Sequence, residues 1–158
     1  MVSKNALYSD IWRLFYDRLK STVTSTTITG GIVVTIKEYD SKFADIPFDD
    51  NSYYPVLVVN TPSLPTSRFT NSKDKIEGSI MIEIYTYQAE SADDFIGLIQ
   101  DSIETYMSTL NQNGIHRVPN SEFFGELQTD MVTRGTIKVH IRRLPVYFRH
   151  YYGRTFNI

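Results

Sequence analysis

The 158-residue chain contains no cysteine, which excludes disulfide bonds and cysteine-ligated zinc. It also lacks a long hydrophobic run, because no window approaches the roughly 20 apolar residues of a membrane-spanning helix. Charge of one sign is not in excess: 16 basic and 18 acidic residues give a formal net charge of -2. Bulk electrostatics therefore does not favour nucleic acid or an anionic membrane as partner. We expect a soluble protein that is made in the cytoplasm and does not contact a membrane.

Motifs for catalysis and metal binding are missing as well. The three histidines, His116, His140 and His150, never lie three or four residues apart and have no carboxylate at ligand spacing. The chain has no Gly-x-Ser-x-Gly elbow for a nucleophile, and Gly30-Gly31 is not followed by the Lys-Ser/Thr of a phosphate-binding loop. We therefore expect no enzymatic activity, no metal and no cofactor.

The clearest pattern that is present is a strand followed at once by a helix. Residues 76–86 alternate between apolar and polar side chains, which predicts a half-buried strand. Residues 92–110 carry apolar side chains three and four positions apart. These form one stripe along a helix, which needs a sheet to cover it. Ser91 and Asp94 have the spacing of a capping box, so we predict that this helix begins there.

The remaining segments complete an α+β pattern. We predict a first helix over residues 4–20, strands over 32–36, 55–60 and 136–142, a loop over 38–52, and a further strand within 125–132. Pro145 is expected to interrupt the last strand. Together these predict a single domain over residues 1–158, with 146–158 as an aromatic and basic C-terminal extension. The predicted fold is a mainly antiparallel sheet of about five strands with two principal helices packed on one face.

Charge is segregated along the chain. Residues 76–116 contain no Lys or Arg, whereas residues 132–158 contain no Asp or Glu. An acidic face of one subunit can therefore meet the basic face of the next, and such head-to-tail contacts form rings when the rotation closes. The residues that we predict at this interface are Asp93, Asp94, Asp101, Glu104, Arg142, Arg143, Arg149, Tyr151, Tyr152 and Arg154.

The C-terminal segment leaves three interpretations open: a nucleic-acid platform, a protein interface and an undistinguished solvated face. Its alternation of Arg and aromatic residues is typical of single-stranded nucleic-acid binders. Tyr and Arg are also the residues that protein interfaces enrich, and no RNP-type sequence is present, so we favour the interface. The loop over residues 61–74 is long and contains Arg68 and Phe69, which we predict as further contacts, because loops of this length are usually functional.

The order of these elements resembles that of the tail terminator (tail completion) proteins of long-tailed bacteriophages. The resemblance covers most of the chain in layout and length. It rests on an amphipathic N-terminal helix, the apolar strand Tyr54-Pro55-Val56-Leu57-Val58-Val59, a long loop, an alternating strand ending in Tyr-x-Tyr, an acidic helix beginning Ser-Ala-Asp-Asp, and a late alternating strand.

The resemblance implies a virion structural protein of the tail or neck. Such a protein forms a homo-oligomeric ring, typically a hexamer, that stacks on the tail tube protein, ends its polymerisation and presents a surface to the head connector or neck protein. DNA passes through the channel without sequence-specific binding. The alternatives are a tail tube or neck (head-closure) subunit and, in another class, a small single-stranded nucleic-acid-binding module.

Overall fold

The computed structural model describes residues 7–40, 54–64, 75–134 and 136–151. Within these ranges the chain forms three helices and eight strands. In chain order they are α1 (Leu7–Thr22), β1 (Ser25–Ile28), β2 (Ile32–Thr35), β3 (Glu38–Asp40), β4 (Val56–Val59), β5 (Lys75–Thr86), α2 (Ala89–Thr105), α3 (Met107–Gln112), β6 (Ile115–His116), β7 (Gln128–Arg134) and β8 (Ile137–Tyr151). None of the described helices combines the length and hydropathy needed to cross a membrane.

Six of the strands form one sheet in the order β3-β4-β5-β8-β6, with β7 also paired to β8. Only β3 and β4 are parallel among the described pairs, and every other pair is antiparallel. The longest pairing joins β5 to β8, from Lys75 opposite Tyr151 to Thr86 opposite His140. The fold is therefore α+β with a mostly antiparallel sheet, as the sequence predicts.

Strand β8 runs through Pro145, so the predicted interruption is wrong. Gly125 N donates to Pro145 O at 2.8 Å. Because the nitrogen and carbonyl of one strand residue point to the same side, the ring nitrogen of Pro145 faces away from β5. On that side β8 pairs with β7 up to Arg143 and with β6 from Arg149, and between them it contacts residues 123–125. The missing N–H therefore costs no ladder bond with β5.

The main core lies between the helices and one face of the sheet. It contains the predicted stripe of α2, with Phe95 and Ile99 fully buried, and the predicted alternate residues of β5, such as Ile82. The four residues of β4 are all buried, as expected for a strand covered on both faces. Burial of this apolar surface is the main term that holds the helices on the sheet.

A second, smaller cluster lies on the opposite face of the sheet. It contains Tyr54, Val56, Val58, Tyr85, Val139 and Ile141, all of them buried. The odd-numbered positions of β5 and β8 supply part of it, because side chains alternate between the two faces of a strand. The centre of the sheet is thus apolar on both sides, and not only on the side of the helices.

The start of α2 differs from the prediction. The helix begins at Ala89 after Gln88, whose side chain makes no capping hydrogen bond. Ser91 lies inside the first turn, where its hydroxyl donates to Gln88 O at 2.9 Å and lies 2.6 Å from Thr86 Oγ1. Ser91 and Asp94 therefore do not form a capping box. The serine instead ties the helix to the last residue of β5.

The numbers of strands and helices also exceed the prediction. Strands β1 and β2 form a separate antiparallel hairpin, and β3 lies in the segment predicted as a loop. Gly30 and Gly31 form the turn of this β1–β2 hairpin. Their φ angles of 87° and 75° lie in a region of backbone conformation that favours glycine. The predicted second helix is divided at Tyr106 into α2 and α3.

Residues 146–151 belong to the sheet and not to a separate extension. Val146 and Phe148 are fully buried in the main core, and His150 is 1% exposed. Tyr147, between these buried residues, is exposed at 43%. Alternation along β8 explains the difference, since even-numbered residues face the helices. Residues 152–158 lie outside the described part of the chain.

Candidate functional site

Several strands have an edge without a described partner strand, and those of β2 and β7 also carry exposed aliphatic side chains. Strand β7 pairs with β8 over its whole length, from Gln128 opposite Arg143 to Arg134 opposite Ile137. Strand β2 pairs with β1 alone. Within the described part of the chain, no strand covers the other edge of β7 or of β2. Edges of this kind present backbone N–H and C=O groups to a partner.

Exposed aliphatic side chains accompany both edges. On β2, Ile32 is 56% and Val33 is 63% exposed. On β7, Met131 is 49% exposed, and Leu127, just before the strand, is 37% exposed. Aliphatic groups beside unpaired backbone are typical of surfaces that associate. The hairpin is held in place by Thr29, whose N–H and hydroxyl donate to Glu90 Oε1 at 2.9 and 2.7 Å.

Arg142 and Asp93, both predicted at the subunit interface, lie against each other within one chain. Its Nε donates to Asp93 Oδ1 at 2.8 Å, and its Nη1 donates to Ile141 O at 3.1 Å. The arginine side chain is 11% exposed, whereas that of Asp93 is 61% exposed. The pair therefore joins β8 to α2 inside one subunit.

Arg143 belongs to a partly buried polar network on the other face of the sheet. Its Nε lies 3.3 Å from Glu83 Oε2, and its Nη1 lies 3.6 Å from Asp130 Oδ2. Glu83 also accepts hydrogen bonds from the Tyr85 hydroxyl and, at 2.5 Å, from Asn60 Nδ2. Burial, together with the hydrogen bond and charge of Glu83, raises the pKa of Tyr85 far above its usual value. These contacts fix the charges of the network in place.

Arg149 is the third predicted interface cation, and it too has a carboxylate within the chain. Its Nε and Nη2 donate to Glu77 Oε1 at 3.1 and 2.6 Å. The two residues face each other across β5 and β8, as Glu83 and Arg143 do. The three arginines are thus held by carboxylates, which reduces the positive charge that this region can offer to phosphate groups.

The other predicted site residues are distributed differently. Asp101 and Glu104 are exposed on α2, and Asp94 is half-buried. Tyr151 is the last residue of β8, where its backbone pairs with Lys75. The remaining predicted contacts, Arg68, Phe69, Tyr152 and Arg154, lie outside the described residues. The structure therefore brings together Asp93 with Arg142 but not the acidic residues of α2 with the other two arginines.

Two histidines lie close together in the sheet. His150 pairs with Ile115 in the strand register, next to His116, and its Nδ1 lies 3.1 Å from Gly114 O. Burial lowers the pKa of His150, with a further lowering from His116, against the opposing effect of Gly114 O. Burial also lowers the pKa of His116. Among the described residues no group of side chains could hold a metal ion.

A groove of about 510 Å³ lies beside β5 and β8. It is lined by Glu77, Ser79, Val118, Glu122 and Tyr147, among other residues. Within the described part of the chain, its lining contains serine hydroxyls and two carboxylates but no histidine, lysine or arginine.

The sequence reasoning missed the open edges and the network around Glu83. The edges could not be located because strand order does not follow from the pattern of one strand. The network had a signal: Glu83 and Tyr85 are adjacent odd positions of β5, and Arg143 is an odd position of β8. A register between the two strands was needed to place them together.

Comparison of the chain with protein-family models and with curated proteins gives no match in either case.

Proposed function

We propose that this chain is a virion structural protein of the tail-terminator type. Identical subunits would form a closed ring on the end of a phage tail tube, stop its growth and join it to the head connector. The proposal is supported by the order of elements set out above, from the N-terminal helix to the late alternating strand. The virion tail or neck is the corresponding location.

The observation that carries the proposal is where the exposed apolar groups lie. Ile32, Val33 and Met131 are about half exposed or more, and they lie on strand edges and not in a cavity. Such a surface favours association with protein over turnover of a small molecule.

A ring is the form of association that these surfaces favour. The two open edges are different from one another, since one belongs to a four-residue hairpin strand and the other to a seven-residue strand of the main sheet. Contacts between unlike surfaces are heterologous, and they form a closed ring when the rotation between subunits permits and an open filament when it does not. A tube subunit would instead continue into long cylinders.

The test is assembly of the purified protein. Light scattering after size exclusion should give the mass of a closed ring, which we expect to contain six subunits, and electron microscopy should show rings and no cylinders. Added to growing tubes of the tail tube protein from the same phage, the rings should bind tube ends and shorten the tubes. A strictly monomeric protein that leaves tube length unchanged would reject the proposal.

Binding to nucleic acid is measured in the same preparation. The ring is expected to bind single-stranded DNA weakly and without sequence preference. Tight binding that falls steeply with salt and is lost on replacing Arg142, Arg143 and Arg149 would favour the nucleic-acid-binding alternative instead.

A further inference from the structure

We infer that β2 of one copy of this chain adds to the open edge of β7 in the next copy, so that the two strands pair across the subunit contact. The inference rests on the proposed ring and names the surfaces that build it. It concerns two edges whose partners within the described residues are known, β1 for one and β8 for the other.

The backbone supplies the first argument. Strand β7 is seven residues long and β2 is four, so a shared ladder of about four residues can form. Each unpaired edge carries N–H and C=O groups along one side. When a strand adds to such an edge, the N–H and C=O groups of both strands form hydrogen bonds with each other. Many sheets bind an extended segment in this way.

The second argument is the absence of protection on these edges. Natural edge strands are usually guarded by Lys, Pro, a bulge or an inward-pointing charge. Strand β2, Ile-Val-Val-Thr, contains neither a charge nor a proline. Strand β7 contains Asp130 and Arg134 as charged residues but neither Lys nor Pro, and its pairing with β8 runs without a bulge from Gln128 to Arg134. Unguarded edges are expected where a partner strand covers them.

The side chains supply the third argument. Val33 and Ile32 on β2 are 63% and 56% exposed, and Met131 on β7 is 49% exposed. Aliphatic side chains facing each other across paired strands stabilise a sheet. The carboxylate of β7, Asp130, is held by Arg143 within its own subunit, so it does not leave an isolated charge at the contact.

Because the edges of β2 and β7 are different surfaces, the contact between two subunits is head to tail. Each subunit would provide β2 to one neighbour and receive β2 from the other at β7. Pairing of β2 with β2 would be isologous and would stop at dimers. The two arrangements can therefore be distinguished by mixing variants that each lack one surface.

The first experiment uses Val33→Lys and Met131→Lys, because lysine is a guard residue of natural edges. Each variant alone should be a monomer at the concentration at which the wild type is a ring. A mixture of the two should form 1:1 dimers, since one intact β2 and one intact β7 remain. Leu98→Lys, which changes an exposed aliphatic residue of α2, is the matched control and should still form rings.

The second experiment uses disulfide cross-linking, which is direct because the chain has no cysteine. A chain carrying both Val33→Cys and Met131→Cys should give a ladder of covalent oligomers under mild oxidation. A mixture of the two single variants should stop at covalent dimers. Val33→Cys combined with Leu98→Cys is the control and should give no ladder.

The outcomes separate this inference from the proposed function. Rings that persist in both Lys variants, or a mixture of the variants that stays monomeric, overturn the β2 to β7 contact, while a wild-type ring that binds tube ends still supports the proposed function. Covalent homodimers of Val33→Cys alone would replace the contact with an isologous one. A monomeric wild type that does not bind tubes would overturn both.

Discussion

Arg142 and Asp93 form an ion pair within one chain, with 2.8 Å between Arg142 Nε and Asp93 Oδ1. The arginine is nearly buried in the sheet, and the aspartate is mostly exposed on α2. The two charges that the sequence suggested for a contact between subunits thus meet inside a subunit. Replacement of Arg142 must therefore affect the stability of the monomer before it reports on assembly.

The first prediction follows from this asymmetry of burial. Arg142→Met keeps an unbranched side chain in place of the arginine stem but removes both hydrogen bonds, and it should lower the free energy of unfolding by about 1 to 2 kcal/mol. Asp93→Asn keeps an oxygen acceptor in an exposed position, so its cost should stay below about 0.5 kcal/mol. Urea unfolding of both variants checks the difference. Equal losses would show that the exposed charge of Asp93 dominates the pair.

The second prediction compares two Glu–Arg pairs that face each other across the same two strands. Glu83 is 10% exposed in its side chain and has three partners, whereas Glu77 is 29% exposed. Glu83→Gln should lower the free energy of unfolding by about 2 to 3 kcal/mol, because it removes a buried charge that compensates Arg143.

Glu77→Gln is the matched control, and it should cost less than about 1 kcal/mol, as more exposed ion pairs do. Guanidinium unfolding curves of the two variants and the wild type give the comparison. If Glu77→Gln proves the more costly change, burial does not set the strength of these pairs.

The periodic spacing of apolar side chains along the sequence predicted the helix and strand faces that pack in the main core. The alternation of residues 76–86 and the stripe of α2 required one apolar face each, and burial of Ile82 and Ile99 agrees. These predictions succeed because a period is a local property, readable within one element. The α+β class follows from them.

Features that depend on strand order could not be predicted in this way. Pro145 was expected to end its strand, but on the side of its nitrogen it lies beside residues 123–125, in the interval between the β7 and β6 pairings. The ion pair of Arg142 with Asp93 required the relative placement of β8 and α2. The open edges of β2 and β7 likewise depend on which strands are neighbours, which no local period records.

The third prediction concerns pH. Burial lowers the pKa of His150, with a further lowering from His116. Above about pH 7 the histidine side chain is neutral in both the folded and the unfolded chain, because the usual histidine pKa is near 6.5. As the pH falls through that value, the unfolded chain binds protons that the folded chain does not. Stability is therefore lost toward acid, by at most about 1.4 kcal/mol per pH unit for each histidine.

The measurement is the free energy of unfolding in urea at pH 7.5 and pH 5.5. The wild type should lose stability between the two values, and the double variant His116→Gln/His150→Gln should lose markedly less. Comparison within each variant removes the cost of the substitution itself. An unchanged loss in the double variant would assign the pH dependence to other groups.

The fourth prediction uses two glycines with opposite surroundings. A Cβ at Gly78 in β5 would lie 2.7 Å from Ser63 O and 2.5 Å from Leu64 Cδ2, so Gly78→Ala must displace backbone as well as side chain. It should cost about 1 to 3 kcal/mol, the usual range for overpacking. Gly97 in α2 has nothing within 4 Å of such a Cβ. Gly97→Ala should therefore stabilise the protein by about 0.5 to 1 kcal/mol through the helix propensity of alanine.

Thermal unfolding of the two alanine variants tests this pair, with the midpoint falling for Gly78→Ala and rising for Gly97→Ala. The first result depends on the bridge between Ser63 and Ser79, which holds the end of the β4 segment against β5. Ser63 N donates to Ser79 O at 2.8 Å and Ser79 N donates to Ser63 O at 3.0 Å, so the chain at Ser63 cannot move away without losing both bonds. A neutral Gly78→Ala would mean that this segment yields at little cost, and that its contact with β5 contributes little to the fold.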